Sequence, residues 1–233
     1  MARSDFLASL MRSCYLERMQ LEIWSDVMCP FCYMGKRRLE NALLGFVHAG
    51  EVEIVWRSYQ LDPDLRPAPG KSLHEYLAER KGMSRDWSVK MHAQLEKSAA
   101  ELGLSYNFDR VVVANSFDAH RLAHLARRSG LQERMQERLF AAYFTEGRDM
   151  GDAETLIGMG TEVGLDPAET RTVVTGRQFA DDVRSECEEA ERLGVEGVPF
   201  FVIDRRYGLT GAQPSELIRE VLEKAWADSP AYH

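Results

Sequence analysis

The chain has 233 residues, 45% hydrophobic and 28% charged, which is enough to bury a core without a disulfide scaffold and too apolar for a disordered segment. Its formal net charge of −8 argues against a nucleic-acid backbone or an anionic membrane surface as its main partner. No run of about 18 apolar residues occurs, so the sequence holds no transmembrane helix.

Residues 1–20 read as an N-terminal extension. Their longest apolar stretch, Phe6 to Met11, is short for a secretory signal and is followed by Arg12, Glu17 and Arg18. Arg12 stands two residues before Cys14, where a lipid-attachment site takes small or apolar residues. The expectation is a cytoplasmic protein in which Cys14 is a bystander thiol.

Leu21 to Met28 reads as a strand, with Ile23 alternating with polar neighbours and Trp24 adding strand preference. A helix follows from about Cys29 to Val47, with Leu39, Leu43 and Phe46 on one face and Gly50 marking its end. Val52 to Tyr59, rich in β-branched and aromatic residues, is a second strand, and the three pieces form a βαβ unit. Asp62, Pro63, Pro67, Pro69 and Gly70 then break regular structure and set a boundary.

From Ser72 to about Gly176 the pattern is helical almost throughout. Ser84 to Leu102, Ser116 to Arg128, Leu131 to Thr145 and Ala153 to Val163 carry apolar residues at helical spacing. Asp166-Pro167-Ala168-Glu169 is a helix start, with Asp as cap and Pro in the first turn. One more helix runs from about Gln178 to Leu193. Pro199 to Ile203 is a short strand, Asp204 to Arg206 a turn, and Tyr207 to Thr210 its hairpin partner. Pro214 opens a last helix to about Trp226. The layout predicts an α/β fold in which 21–62 and 178–227 share one sheet layer, 63–177 is an all-helical insertion, and 228–233 is a tail.

The chemistry sits at Cys29-Pro30-Phe31-Cys32. Cys29 opens a helix directly after a strand. The unpaired N–H groups and partial positive charge of that helix end favour thiolate, the attacking species. Cys29 is expected to face solvent. Cys32, one turn in, is expected to be more buried and placed to attack a sulfur held on Cys29. Zinc is a competing reading, but tetrahedral zinc wants four ligands and Cys14 and Cys187 are isolated. A structural pair of buried thiols is the other alternative.

Gly197-Val198-Pro199 stands directly before the apolar strand. Proline belongs at a strand start or edge, so this is either a strand-initiating turn or a cis bond facing the cysteines that leaves the Val198 backbone free for an extended substrate.

These features in order resemble the DsbA family of thioredoxin-fold thiol–disulfide oxidoreductases, in its FrnE-like branch close to the 2-hydroxychromene-2-carboxylate isomerases. The resemblance covers about Leu21 to Trp226. Trp24-Ser25-Asp26, Tyr33-Met34-Gly35-Lys36, Asn115-Ser116 with Ala119 to Leu122, Gly197 to Phe201 and Leu209 to Gln213 carry it. It implies a thioredoxin-like fold with an inserted all-helical domain, a cis proline at Pro199, Cys29 as nucleophile and Cys32 as resolving cysteine. The periplasmic members have histidine where this chain has Phe31, which implies a less oxidising disulfide here. The isomerase relatives have serine for the first cysteine and bind glutathione; both cysteines are present here.

Pro30, Phe31 and Val198 are expected to contact substrate. His120, which with His124 lies on one helix face, is read as structural or as lining the cleft. Asn115 is read as a helix cap, although its family counterpart lies near the active-site region. Asp26 is either a turn residue or a proton-transfer group for Cys32. Cys187, among Glu186, Glu188 and Glu189, is read as an inert thiol on a solvated helix.

The expected function is thiol–disulfide exchange on protein or small-molecule disulfides, run in the reducing direction that a cytoplasm imposes. The expected partners are a disulfide-containing protein or peptide, and a low-molecular-weight thiol or a reductase as electron donor. No cofactor or metal is called for, and neither nucleic acid nor membrane. A thiol-dependent isomerase or transferase, and a non-catalytic peptide-binding holdase, are the alternatives.

Overall fold

A computed structural model describes residues 18–66 and 70–232. Cys14, nearly all of the N-terminal extension, Pro67 and Pro69 lie outside the described residues. Strands β1 (Met19–Ser25), β2 (Val52–Ser58), β3 (Phe200–Ile203) and β4 (Tyr207–Thr210) form one sheet in the order β2-β1-β3-β4. β1 and β2 are parallel, which requires a crossover, and helix α1 (Pro30–Leu44) lies within it. β3 returns antiparallel to β1, setting Phe201 opposite Ile23, and β4 closes the hairpin.

β1 is an interior strand, so its alternation does not mark a wet face. Glu22 is 1% exposed and Trp24 is fully buried. The Glu22 charge is met by Arg57, whose Nε donates at 2.8 Å, and by Arg205. The Trp24 indole donates to the Glu186 carbonyl at 3.0 Å. β1 stops at Ser25, before the predicted Met28, because Asp26 folds the chain back. Its carbonyl accepts from the Cys29 N–H and its carboxylate from the Met28 N–H. α1 likewise stops at Leu44, short of Val47. Both of those side chains are exposed, so no core holds a further turn.

Between β2 and β3 runs the helical block: α2 (Leu73–Lys81), α3 (Arg85–Ala100), α4 (Phe117–Arg128), α5 (Gln132–Phe140), α6 (Ala153–Val163), α7 (Pro167–Thr175) and α8 (Ala180–Arg192). α2 begins at a full capping box between Ser72 and Glu75. The predicted helix to Thr145 gives way after Phe140 to a π-helical turn, Ala141–Glu146. There the Phe144 carbonyl leaves the helix ladder and accepts from the Asn107 N–H at 2.7 Å. At α7 the Asp166 carboxylate caps the Glu169 N–H, as the motif implies. α8 starts at Ala180 rather than near Gln178, since Phe179 takes a left-handed φ of 63°. α9 (Ser215–Ala227) packs on α1.

Two contacts fix α1, the helix that opens at the cysteines. At Gly35 any Cβ would stand 2.9 Å from the Pro199 ring and 3.4 Å from Phe201, so only glycine lets α1 lie this close to β3. On its other side Lys36, with a side chain 4% exposed, is ringed by Glu40, Glu133 at 2.8 Å and Glu137 at 3.0 Å. Tyr33 donates to Glu137 at 2.7 Å. These bonds lock α1 to α5 of the helical block.

Candidate active site

Cys29 is the N-cap of α1, and Pro30 occupies the first turn, where its missing N–H costs nothing. The Cys32 N–H donates to the Cys29 carbonyl at 3.0 Å, closing that turn. Both cysteines are free thiols. Cys29 is only 4% exposed, which corrects the expectation that it faces solvent. The Val198 segment covers it, and the Cys29 thiol donates to the Val198 carbonyl at 3.3 Å. That carbonyl is therefore engaged by the protein itself. The Val198–Pro199 peptide is cis.

Cys32 is wholly buried. Burial pushes its thiol well above the ordinary range, and the adjacent Cys29 pushes it further. The Ser25 hydroxyl and the Asp26 backbone offset part of this. Asp26, also fully buried, spends its carboxylate on structure: Oδ1 accepts from the Met28 N–H at 3.2 Å and Oδ2 from the Leu61 N–H at 2.7 Å. These are the turn contacts of one of the two readings of this residue.

A cleft of about 310 Å³ opens beside the dithiol. Cys29, Pro30, Phe31 and Val198 line it, so four of the sequence candidates converge there. Phe31 is 46% exposed and also lines a second groove with Gly197 and Val198. His120 and Asn115 do not join them. His120 is 1% exposed, with Nε2 3.5 Å from Asp26 Oδ1 and without a hydrogen bond, so it cannot touch a substrate in the cleft. Asn115 sits in a separate surface hollow with Gln60 and Pro63. Its Oδ1 accepts from the Phe117 N–H at 2.9 Å, and its Nδ2 donates to the Pro63 and Leu65 carbonyls. It stands one residue before Ser116, the N-cap of α4, and satisfies the first N–H of that helix while pinning the loop after β2. His124 turns to another acid, Glu186, at 3.1 Å, so the two histidines share no ligand.

Cys187 is half-buried rather than solvated. Burial comes first in raising its thiol to about 11, with Asp26, Glu186 and Glu191 adding to it. The sequence reading missed Tyr106. Its hydroxyl donates to the Pro30 carbonyl at 2.6 Å, and its ring stacks near Tyr33 and Phe144. Burial, and then the nearby Cys29, push its ionisation far up, so it remains a neutral donor. No local signal marks a tyrosine 76 positions along the chain as a neighbour of Pro30.

Residues 20–223 match the family model for the DSBA-like thioredoxin domain. YwbO of Bacillus subtilis (strain 168) is 30% identical over 210 residues, covering 89% of this chain and 96% of its own. The probable DsbA oxidoreductase SCO1869 from Streptomyces coelicolor is 39% identical with a TM-score of 0.85, covering 91% of this chain and 92% of its own. The cytosolic disulfide reductase DsbM from Pseudomonas aeruginosa, solved with GSH, superposes with a TM-score of 0.64 at 21% identity. That match covers 89% of this chain and 99% of DsbM, a likeness of fold.

Proposed function

The chain belongs to the DSBA-like thioredoxin domain family, and from that membership and the placement of its dithiol we propose that it catalyses thiol–disulfide exchange. The observation that carries this is a free Cys29 at the N-cap of α1, lining a cleft, with Cys32 one turn inside and sealed from water. Cys29 attacks a disulfide as thiolate and forms a mixed disulfide, while the leaving sulfur takes up a proton. Cys32 then attacks the Cys29 sulfur and releases the reduced substrate. The Val198 carbonyl, next to the cis bond to Pro199, holds Cys29, and Pro30 and Phe31 flank the entering sulfur.

We read the setting as cytoplasmic and the net direction as reduction or isomerisation, with a low-molecular-weight thiol or a reductase restoring the dithiol. The fold neighbour described as a cytosolic disulfide reductase supports this reading. Among the described residues no helix is long and apolar enough to cross a membrane. Phe31 offers the Cys29 thiolate neither charge nor a hydrogen bond. The reduced state is therefore not specially favoured, and the potential is expected below the roughly −120 mV of a strong periplasmic oxidant. Titration in thiol buffers measures it; a value at or above that level contradicts the reading.

Trapping tests the mechanism. Cys32→Ser is expected to accumulate a mixed disulfide on Cys29 with a model protein disulfide, visible by mass. In the wild type, decay of that intermediate should go on quickening as the pH rises past neutrality, because burial disfavours the Cys32 thiolate. A decay rate that levels off near neutrality contradicts the assignment. Full turnover by Cys32→Ser would favour a thiol-dependent isomerase or transferase instead.

A further inference from the structure

We propose that Tyr106 is a positioning residue for the exchange: by donating to the Pro30 carbonyl it strengthens the Phe31 N–H as a hydrogen-bond donor to the Cys29 thiolate. This rests on the exchange reading above and adds to it a group from the helical block.

Ionisation strips Cys29 of the partner it has as a thiol. Its S–H donates to the Val198 carbonyl at 3.3 Å, and it makes no capping bond to α1. Once the proton leaves for solvent, the sulfur has nothing to donate and faces a carbonyl oxygen that repels it. A side chain at an N-cap finds its donors at the second and third N–H groups of the helix. Here those belong to Phe31 and Cys32. The Cys32 N–H is already given to the Cys29 carbonyl at 3.0 Å. Phe31, second in the helix, has no carbonyl a turn back within it to take its N–H. The Phe31 N–H is therefore the donor left for the thiolate.

That N–H shares one peptide group with the Pro30 carbonyl. A carbonyl has two lone pairs, so the Pro30 oxygen has room for a bond beside that of the helix ladder. It accepts from the Tyr106 hydroxyl at 2.6 Å. Hydrogen bonds in a chain polarise one another, so density drawn to the oxygen leaves the N–H a stronger donor. A hydrogen bond to the charged form of a group favours that form. The side chain of Phe31 offers the thiolate nothing, and its backbone takes that part.

Tyr106 is held in place as a neutral donor. Its ring centre lies 4.8 Å from that of Phe144, 5.5 Å from Phe108 and 6.0 Å from Tyr33. The next residue, Asn107, donates its N–H to the Phe144 carbonyl that the π-helical turn sets free. Burial, and then the nearby Cys29, keep the phenol protonated. Tyr106 lines neither the cleft, whose wall includes Leu73 and Leu77 on α2, nor the second groove, so it acts through the backbone and not on substrate. The titratable groups that do line the cleft are answered elsewhere: Asp62 by Tyr76 and Arg80, and His92 by His74. On α1 itself, burial disfavours the Cys32 thiolate and Arg37 is taken by Glu137.

The experiment follows alkylation of Cys29 by iodoacetamide against pH in the full reduced chain, read by mass on the peptide that carries Cys29. The thiolate is the reacting species, so the midpoint of the profile reports how well it is held. Tyr106→Phe keeps the ring and removes the bond. It is expected to raise the midpoint by about 0.4 of a pH unit, leaving about 2.5-fold less thiolate, as loss of roughly a tenth to a third of a charge-assisted bond implies. Tyr33→Phe removes another hydroxyl bond of α1, that to Glu137 at 2.7 Å, and should leave the midpoint in place. A fluorinated tyrosine at position 106 is a stronger donor of nearly the same shape and should lower the midpoint, a gain that a disturbed fold cannot produce. An unmoved midpoint in Tyr106→Phe, a like shift in Tyr33→Phe, or no lowering by the fluorinated residue each overturns the role of Tyr106 and leaves the exchange reading standing. Failure of Cys32→Ser to trap any mixed disulfide overturns that reading, and the role of Tyr106 with it.

Discussion

Cys29→Ser is expected to drop reduction of a model protein disulfide to the uncatalysed background, a loss of at least about 10³-fold. A serine oxygen cannot form the mixed disulfide, and its hydroxyl is a far poorer nucleophile than a thiolate. Cys187→Ser is expected to leave turnover unchanged, since burial holds that thiol near 11. Following reduction by the turbidity of a released chain, with both variants beside the wild type, decides the matter. Turnover surviving in Cys29→Ser would sink the mechanism. A matching loss in Cys187→Ser would move the chemistry to the other thiol. Folding of the Cys29 variant is checked by its circular dichroism, because Cys29 gives up its bond to the Val198 carbonyl and its contact with the Cys32 thiol.

The second large effect is on stability. Glu186 is buried under the sheet, where Arg57 donates to it at 2.8 Å, the Ser58 N–H at 2.7 Å, and His124 stands at 3.1 Å. Burial raises such a carboxyl, but these partners outweigh it and hold Glu186 at about 2, below its ordinary 4.5. The folded carboxylate is therefore favoured over the unfolded one. Its contribution is whole above about pH 4.5 and is lost as the pH falls towards 2. Glu186→Gln leaves Arg57 and His124 facing a neutral amide and is expected to cost about 3 kcal/mol at pH 7. Urea midpoints at pH 7 and pH 3 check this, with the gap between variant and wild type narrowing at pH 3. A cost below about 1 kcal/mol at pH 7, or one that is the same at both pH values, contradicts the account.

What was legible in the sequence is what is decided within a few residues. The pair at Cys29 and Cys32, the cap at Asp166, the hairpin turn at Asp204 to Arg206 and the break after Asp62 all follow from local chemistry. What was illegible depends on partners far along the chain. Cys29 was expected in water because nothing within a turn covers it; the carbonyl that does is Val198, 169 residues later. Asn115 was read as the helix cap, a place that Ser116 takes; Asn115 bonds the first N–H of α4 from one residue earlier, and its placement away from the cleft is set by Gln60 and Pro63 on a different segment. Glu22 and Trp24 looked like an alternating strand because alternation shows which residues are polar. Whether a second layer covers them is settled by α8 and Arg205. Leu73 and Leu77 are separated by His74, Glu75 and Tyr76 and gave no segment of their own, so the apolar wall of the cleft was not foreseen.

The lid that Val198 lays over Cys29 also bears on the lifetime of the sulfur. Stepwise oxygenation of a cysteine, to sulfenic and then to irreversible sulfinic and sulfonic acids, tracks how much of the thiolate meets dissolved peroxide. A sulfur 4% exposed offers little surface to either, so peroxide and disulfide alike reach it by the cleft it lines. The fold thus makes that one passage the control on both the reversible traffic of electrons and the corrosion that would end it.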